Sequence, residues 1–401
     1  MLAAGRAAEK GAKVLLLEKN RSLGLKLLLT GNGRCNITNL SGDIRMMADK
    51  IGFGGKFLLS ALTKFSPQHA VDFFNMQGVD TVTEGDGKVF TASGNAREVL
   101  GALLLYLNDF KVEIRTNSVV TDIITKDGII EKVILQNSNE VSAKRYLIAT
   151  GGKSYPLTGS TGDACDWLKK MGHNIIPLRP ALTSIDLKSD FFSQLEGASL
   201  SDVRLNLYLG NDKIGEEFGD ILFTARGLSG PAAINLSRLA AHAADSELLN
   251  KHFSLSIDSV SFLNSPSLDK KLEGELQEYG ATMVKNYLNE FWPPKMIVPL
   301  LKEMKINPEK KTRDITREER KILVELLKDL KFEIKSFGDY EKAVITVGGV
   351  DLKEVDSKTM RSKLIENLYF AGEVLDLDGP TGGFNLQIAW STGFAAGDAE
   401  L

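Results

Sequence analysis

The chain of 401 residues has very little with which to build a disulfide or metal framework. Its only cysteines, Cys35 and Cys165, exclude a disulfide scaffold, a cysteine-rich zinc site and the CxxC pair of a disulfide reductase. Its four histidines, His69, His173, His242 and His252, share no metal-ligand spacing, so no metal is expected. No apolar run approaches the roughly 20 residues of a membrane span. The start, MLAAGRAAEKG, lacks the long apolar centre of a secretory signal. A cytoplasmic protein with no membrane partner is expected. The net charge of −3 gives no basic excess for nucleic acid to recognise. No Ser-His-Asp set or carboxylate pair stands out, so no side chain is singled out as catalytic.

What is present reads as an α/β protein. Hydrophobic content of 43% and charged content of 25% are those of a globular chain, and the length predicts two or three domains. The most informative stretch is 367–397, NLYFAGEVLDLDGPTGGFNLQIAWSTGFAAG. A short apolar strand, 368–371, ends at Gly372 and Glu373. A loop rich in Gly and Pro follows, and 385–396 reads as a helix closed by Gly397. Strand, glycine loop, helix is how α/β proteins offer a helix N-terminus to an anion. Gly382 and Gly383 leave room for a ligand to approach the backbone. A flavin pyrophosphate, or the electron-rich edge of a reduced flavin, suits such a place. An ordinary glycine turn before a surface helix would read the same, and this motif alone does not separate them.

At the other end, 1–10 reads as helix with Gly11 after it, and KVLLLE (13–18) as a buried parallel strand ending in an acid. An acid there binds the ribose of an adenine dinucleotide, about 20 residues after a Gly-x-Gly-x-x-Gly fingerprint. Here that distance runs off the front of the chain. The favoured reading is that the first strand and its glycine fingerprint are missing, which predicts weakened FAD binding, with a non-catalytic remnant as the limiting case. The segment SLGLKLLLTGNGRCNITN (22–39) combines close-approach glycines with polar groups. Cys35 within it could be a redox thiol or a small buried hydrophobe, and the latter is favoured.

Between these ends, 79–90 reads as a hairpin turning at Gly85-Asp86-Gly87, and 95–107 as an apolar helix. Strands are expected at 111–116, 119–125, 129–136 and 141–149, the last leaving through Ala149, Thr150, Gly151 and Gly152. Residues 177–262 with 331–342 read as a small β-barrel or sandwich. Inside it, Thr224, Arg226 and Ser229 precede a helix expected at 232–244, whose start could meet substrate. Residues 263–330 read as a charged helical insert, with a capping box at Thr316 and Glu319. Residues 1–176 with 343–401 remain as the cofactor domain.

TGNGRCNITN (30–39), LFTARGLSGPA (222–232), ITVGGV (345–350) and AGEVLDLDGPTGGFNLQIAWSTG (371–393), together with Glu18 and the 149–152 turn, resemble the FAD-binding pattern of two-dinucleotide-fold flavoproteins. In detail they resemble the bacterial BaiN/YhiN-like family, which includes aminoacetone oxidases and 3-dehydro-bile-acid reductases. The resemblance covers nearly the whole chain. It implies a Rossmann-like FAD-binding domain interrupted by a small β-barrel domain and a helical insert. It implies FAD contacts from Glu18 and Lys19 at the adenosine ribose, and from Lys26, Thr30, Asn32, Gly33, Arg34, Cys35 and Asn36 at phosphates or flavin. Ala149, Thr150 and Gly151 would lie beside the adenosine half. Gly372 and Glu373 would serve the ribityl or pyrophosphate region. Gly382, Gly383, Phe384 and Asn385 would face the isoalloxazine. Leu25 stands where relatives often carry a basic residue, which leaves Lys26 as the neighbouring cation.

A flavin performs the redox step itself, while the protein orients it and excludes water. No second glycine-fingerprint unit marks a dedicated NAD(P)H domain, so NAD(P)H is expected only as a transient donor. The expectation is an FAD-dependent oxidoreductase of a small organic substrate, reducing an activated C=C bond. An oxygen-using amine oxidase is the alternative. A flavoprotein of RNA modification is a further rival, against which the acidic balance argues. Oligomeric state is not legible.

Overall fold

Apolar triplets form the parallel strands of the N-terminal part. In the computed structural model, which describes residues 1–243 and 252–399, Leu15–Leu17 runs beside Glu113–Arg115, and Leu368–Phe370 beside Tyr146–Ile148. The two parallel pairs are separate sheets. A three-stranded antiparallel meander, Val120–Lys126, Ile129–Leu135 and Glu140–Val141, connects them in sequence. The strand expected over 141–149 is thus broken in two. Tyr146 turns its hydroxyl back to accept from Ala143 N and donate to Glu131 O, closing the intervening polar bend.

The helix Phe384–Asp398 is the centre of this part. It is buried on every side, with Gln387, Ser391 and Thr392 fully enclosed beside Ile388 and Ala395. Enclosed polar groups need partners, and they have them. Gln387 donates to Phe65 O at 2.9 Å and accepts from Thr38 Oγ1 at 2.6 Å. Trp390 donates to Ile37 O at 3.0 Å. The helix runs through Gly397, which was expected to stop it. Glycine is needed there because a Cβ would overlap Ala3 O of the first helix, Leu2–Glu9. Arg6 of that helix pairs with Asp398 at 2.6 Å.

Two compact units are formed, Met1–Pro180 with Ala343–Leu401, and Ala181–Lys342. The second is built on a closed six-stranded barrel in the order Ile185–Leu187, Gly227–Ser229, Asp212–Thr224, Ser199–Leu209, Phe253–Asp258, Leu330–Phe337. Its alternating strands turn Leu205, Leu207, Phe223, Leu255 and Ile257 inward. The helices Ser265–Glu278, Pro294–Glu303 and Arg317–Lys328 add Leu272, Leu300 and Leu327 to that same core. The helical segment therefore shares its core with the barrel. At about 1.5–3 kcal/mol for each fully buried large side chain, this common cluster ties barrel and helices together. The helix Pro231–Ala243 also packs there; Ala244, which was expected to end it, lies outside the described residues. No helix among the described residues is long and apolar enough to cross a membrane.

Candidate functional site

Three segments distant in sequence converge on Glu373. It follows the strand Leu368–Phe370, in a short 3-10 turn, Gly372–Val374. Its Oε2 accepts from Lys26 Nζ at 2.6 Å. Its Oε1 accepts from Thr346 N at 2.6 Å and Ser154 Oγ at 3.1 Å. Lys26 also donates to Ser154 Oγ at 2.7 Å. Lys26 and Glu373 are only partly buried, with 25% and 20% of their side chains exposed. The pair therefore remains open to a ligand. Beside it the chain leaves the strand Tyr146–Ile148 through exposed Ala149 and Thr150 to Gly151, whose φ of +76° favours glycine.

The second feature is the start of the helix Phe384–Asp398. Gly382 and Gly383 take φ of +112° and +95°. No side chain caps this helix start, so its first-turn N–H groups keep their partial positive charge. The 30–39 loop lies against it. Asn39 Nδ2 donates to Gly382 O at 3.0 Å. In the amide orientation that satisfies its neighbours, Asn36 accepts from Gly383 N at 3.1 Å and donates to Thr38 O at 3.0 Å. Gly383 has a second reason to be glycine: a Cβ would stand 2.5 Å from Thr38 O. The close approach at Gly383 is thus made by the chain itself. Gly31, Asn32 and Gly33 all have positive φ, and a Cβ at Gly33 would meet nothing within 4 Å.

The third feature is half-buried Glu18, directly after the strand Leu15–Leu17. Its Oε1 accepts from Asn20 N at 2.8 Å and Asn20 Nδ2 at 2.9 Å. Its Oε2 receives no donor among the described residues. Asn20 Nδ2 donates also to Thr158 O at 3.0 Å. Lys19 is held by Asp163 and Thr161, each at 2.6 Å.

Several expected contacts look elsewhere. Arg34 lies 4.0 Å over the ring of Phe90 and pairs with Glu84 at 2.6 Å, so its charge is spent on the 81–91 hairpin. The Cys35 side chain is fully enclosed in the core with Ile37, Phe74 and Trp390. Burial pushes its thiol up to about 11, which keeps it protonated and unreactive at neutral pH. Phe384 is a core side chain. The Asn385 amide accepts from Gly379 N and donates to Gly379 O, each at 2.8 Å, so it braces the loop rather than facing a ligand. Thr30 donates to Leu27 O at 2.6 Å. In the other unit, Thr224 and Arg226 belong to the turn from Asp212–Thr224 into Gly227–Ser229, with Arg226 3.5 Å from Asp186. Among the described residues no group of three or more His, Cys, Asp or Glu could hold a metal. Ser154, Thr346 and Gln387 were not singled out from sequence. Thr346 had one available signal, as the hydroxyl residue in the otherwise apolar ITVGGV strand.

The comparisons with known proteins agree with this geometry. The family model described as the HI0933-like protein Rossmann domain matches residues 1–399. The 3-dehydro-bile acid delta(4,6)-reductase of Clostridium scindens is 30% identical over 399 residues, covering 99% of this chain and 95% of that protein. The ribosomal RNA dihydrouridine synthase of Haemophilus influenzae is 28% identical, covering 98% and 94%. Among solved structures, the 3-ketosteroid-Δ4-(5α)-dehydrogenase of Rhodococcus jostii shares the fold, with a TM-score of 0.52 at 14% identity over 99% of this chain and 93% of that one. With the family model matched from end to end, and strand ends meeting a glycine loop and a helix start as in a dinucleotide fold, this chain belongs to the HI0933-like Rossmann family.

Proposed function

We propose that this chain is an FAD-dependent oxidoreductase that adds two hydrogens across a carbon–carbon double bond conjugated to a carbonyl. The observation that carries the reading is the convergence of Lys26, Ser154, Thr346 and Glu373 in one unit with an uncapped, glycine-led helix start. These groups fit the cofactor. Glu18 has an unused carboxylate oxygen for a ribose hydroxyl. Ala149, Thr150 and Gly151 would flank the adenosine half. Lys26 would offset phosphate charge, and Glu373 would accept from a hydroxyl of the ribityl chain. The backbone N–H groups of Phe384 and Asn385 would hold negative charge on the flavin ring. When bound and reduced, the flavin supplies the hydride.

The relatives' names support the choice of substrate class. A delta(4,6)-reductase and a dihydrouridine synthase are both named for adding hydrogen across C=C. In a 3-oxo steroid and in uracil alike, that bond is conjugated to a carbonyl. A small conjugated ketone is the favoured substrate, because a net charge of −3 offers little to a polyanion. The second reading, a base in RNA, is favoured by the Haemophilus relative. We assign NAD(P)H as transient electron donor and the cytoplasm as location.

The test begins with the absorbance spectrum of the purified chain, which should show flavin bands. Anaerobic addition of NADH or NADPH should bleach them. A 3-oxo-4,6-diene steroid and a uridine-containing transcript, offered separately to the reduced protein, should each report by reoxidation which substrate class is used. Hydrogen peroxide formed from an amine in air, with neither alkene consumed, would transfer the case to an oxidase. A colourless protein whose melting temperature ignores added FAD would end it.

A further inference from the structure

Thr346 is 1% exposed and stands in the buried strand Ile345–Val350. Its hydroxyl oxygen accepts from two consecutive backbone N–H groups, Lys153 at 2.7 Å and Ser154 at 3.0 Å. Its own N–H donates to Glu373 Oε1 at 2.6 Å. One residue therefore grips both the turn that follows Gly151 and the carboxylate that follows Gly372. Ser154 closes the ring, because its Oγ donates to the same Oε1 and accepts from Lys26. The fit allows no slack. A Cβ at Gly152 would overlap Thr346 Oγ1 and stand 3.2 Å from Glu373 Oε1, although the backbone angle of Gly152 does not itself demand glycine.

We propose that Thr346 is a positioning residue for the cofactor: it locks the 152–154 turn to Glu373, so that the carboxylate is held in the one orientation that accepts a cofactor hydroxyl. The inference rests on the flavin reading above. A buried hydroxyl with two N–H donors cannot be replaced by a methyl without stranding both donors. The turn would then relax, Ser154 would leave Oε1, and Glu373 would rotate toward Lys26. Thr346 touches no cofactor atom in this account. It acts only through Glu373, and that is what separates it from a residue that merely stabilises the fold.

The experiment is a double-mutant cycle on FAD affinity in the full chain, read by flavin fluorescence, with the visible circular dichroism of bound FAD as spectroscopic signature. Thr346→Val should raise the FAD dissociation constant about tenfold or more, the size of one lost hydrogen bond to a charged group. It should also change the dichroism of whatever flavin remains bound. Thr346→Ser, which keeps the hydroxyl, should restore both. Glu373→Gln should weaken binding, and the double variant should be no weaker than Glu373→Gln alone, because neighbours acting through one group are not additive. Additive losses, or an unchanged dichroism with Thr346→Val, would overturn the proposal. If Thr346→Val does not fold, Gly152→Ala carries the test: it should displace Thr346 and lose affinity, yet cost nothing further when added to Glu373→Gln. Wild-type chain that takes up no FAD would fail the flavin reading itself, a result distinct from wild-type binding that the variants leave untouched.

Discussion

Two partly buried lysine–carboxylate pairs, one in each unit, have similar distances and different character. Lys328 in the barrel unit donates to Asp258 Oδ2 at 2.6 Å, Val260 O at 3.0 Å and Leu263 O at 2.6 Å. Three protons meet three acceptors, and Asp258 Oδ1 accepts from Val260 N at 3.0 Å. Only 13% and 11% of these side chains are exposed. Lys26 has two acceptors among the described residues, Glu373 and Ser154, and so keeps a proton to give. Its partner Glu373 takes a single donor on Oε2. The saturated pair is a strut between a strand end and the end of the helix Arg317–Lys328. The unsaturated pair has capacity left for a ligand. Hydrogen-bond inventory, more than charge or burial, separates the two.

The largest effect should come from breaking the strut. Lys328→Met leaves Asp258 charged, enclosed and without its counter-ion, which should destabilise the barrel unit by about 3–5 kcal/mol in urea denaturation. Adding Asp258→Asn should recover part of that loss, since it removes the uncompensated charge and keeps the oxygen that accepts from Val260 N. FAD affinity of the folded protein should not move. If it fell as far as stability did, the two pairs would not differ in the way argued.

Gly383→Ala should come next. The new side chain meets Thr38 O and must sit at a φ of +95°, which costs about 1–3 kcal/mol. The strain falls on the helix start itself, so FAD affinity and melting temperature should fall together. Lys26→Met should then show the opposite profile to Lys328→Met. Its quarter-exposed pair should change stability by less than about 1 kcal/mol. The FAD dissociation constant should rise about tenfold, with a weaker salt dependence than wild type, because the cation proposed to face phosphate is gone. Equal stability losses in both methionine variants would erase the distinction.

The sequence made one half of this site legible and left the other half hidden, for a physical reason. Glycine before a helix, and an acid at a strand end, are local requirements, so Gly382, Gly383, Glu18 and Glu373 could be picked from the string. Ser154 and Thr346 acquire their roles only across long separations, 219 residues from Ser154 to Glu373 and 192 from Thr346 to Ser154. No local pattern encodes such pairing. Gly397 shows the converse limit. A glycine near a helix end reads as a stop, yet here it marks where another helix passes too closely for a Cβ. Cys35 stands in a polar motif yet reads as a small buried hydrophobe, and it is one: the chain turns at φ +56° and carries the thiol into the core. The barrel was readable because alternation along its strands matches inside and outside. That the helical segment joins the barrel's core was not, since its charges describe only the outer face.

The smallest effect on FAD affinity should come from Arg34, and it sharpens the same contrast from the surface. Its pair with Glu84 is nearly half exposed on both sides, and such pairs contribute about 0.2–1 kcal/mol. Stacking over Phe90 adds an amount of the same order, about 0.5–1 kcal/mol at an exposed site. Arg34→Ala should therefore lower stability by about 2 kcal/mol at most. If the guanidinium stays with the hairpin, the FAD dissociation constant should change by less than about threefold. A tenfold rise would mean that Arg34 leaves Glu84 for the cofactor. Glu84→Gln decides between the two, because it frees Arg34 without removing it. Tighter FAD binding in that variant would show a guanidinium waiting to be released, and unchanged binding would leave Lys26 as the cation that matters.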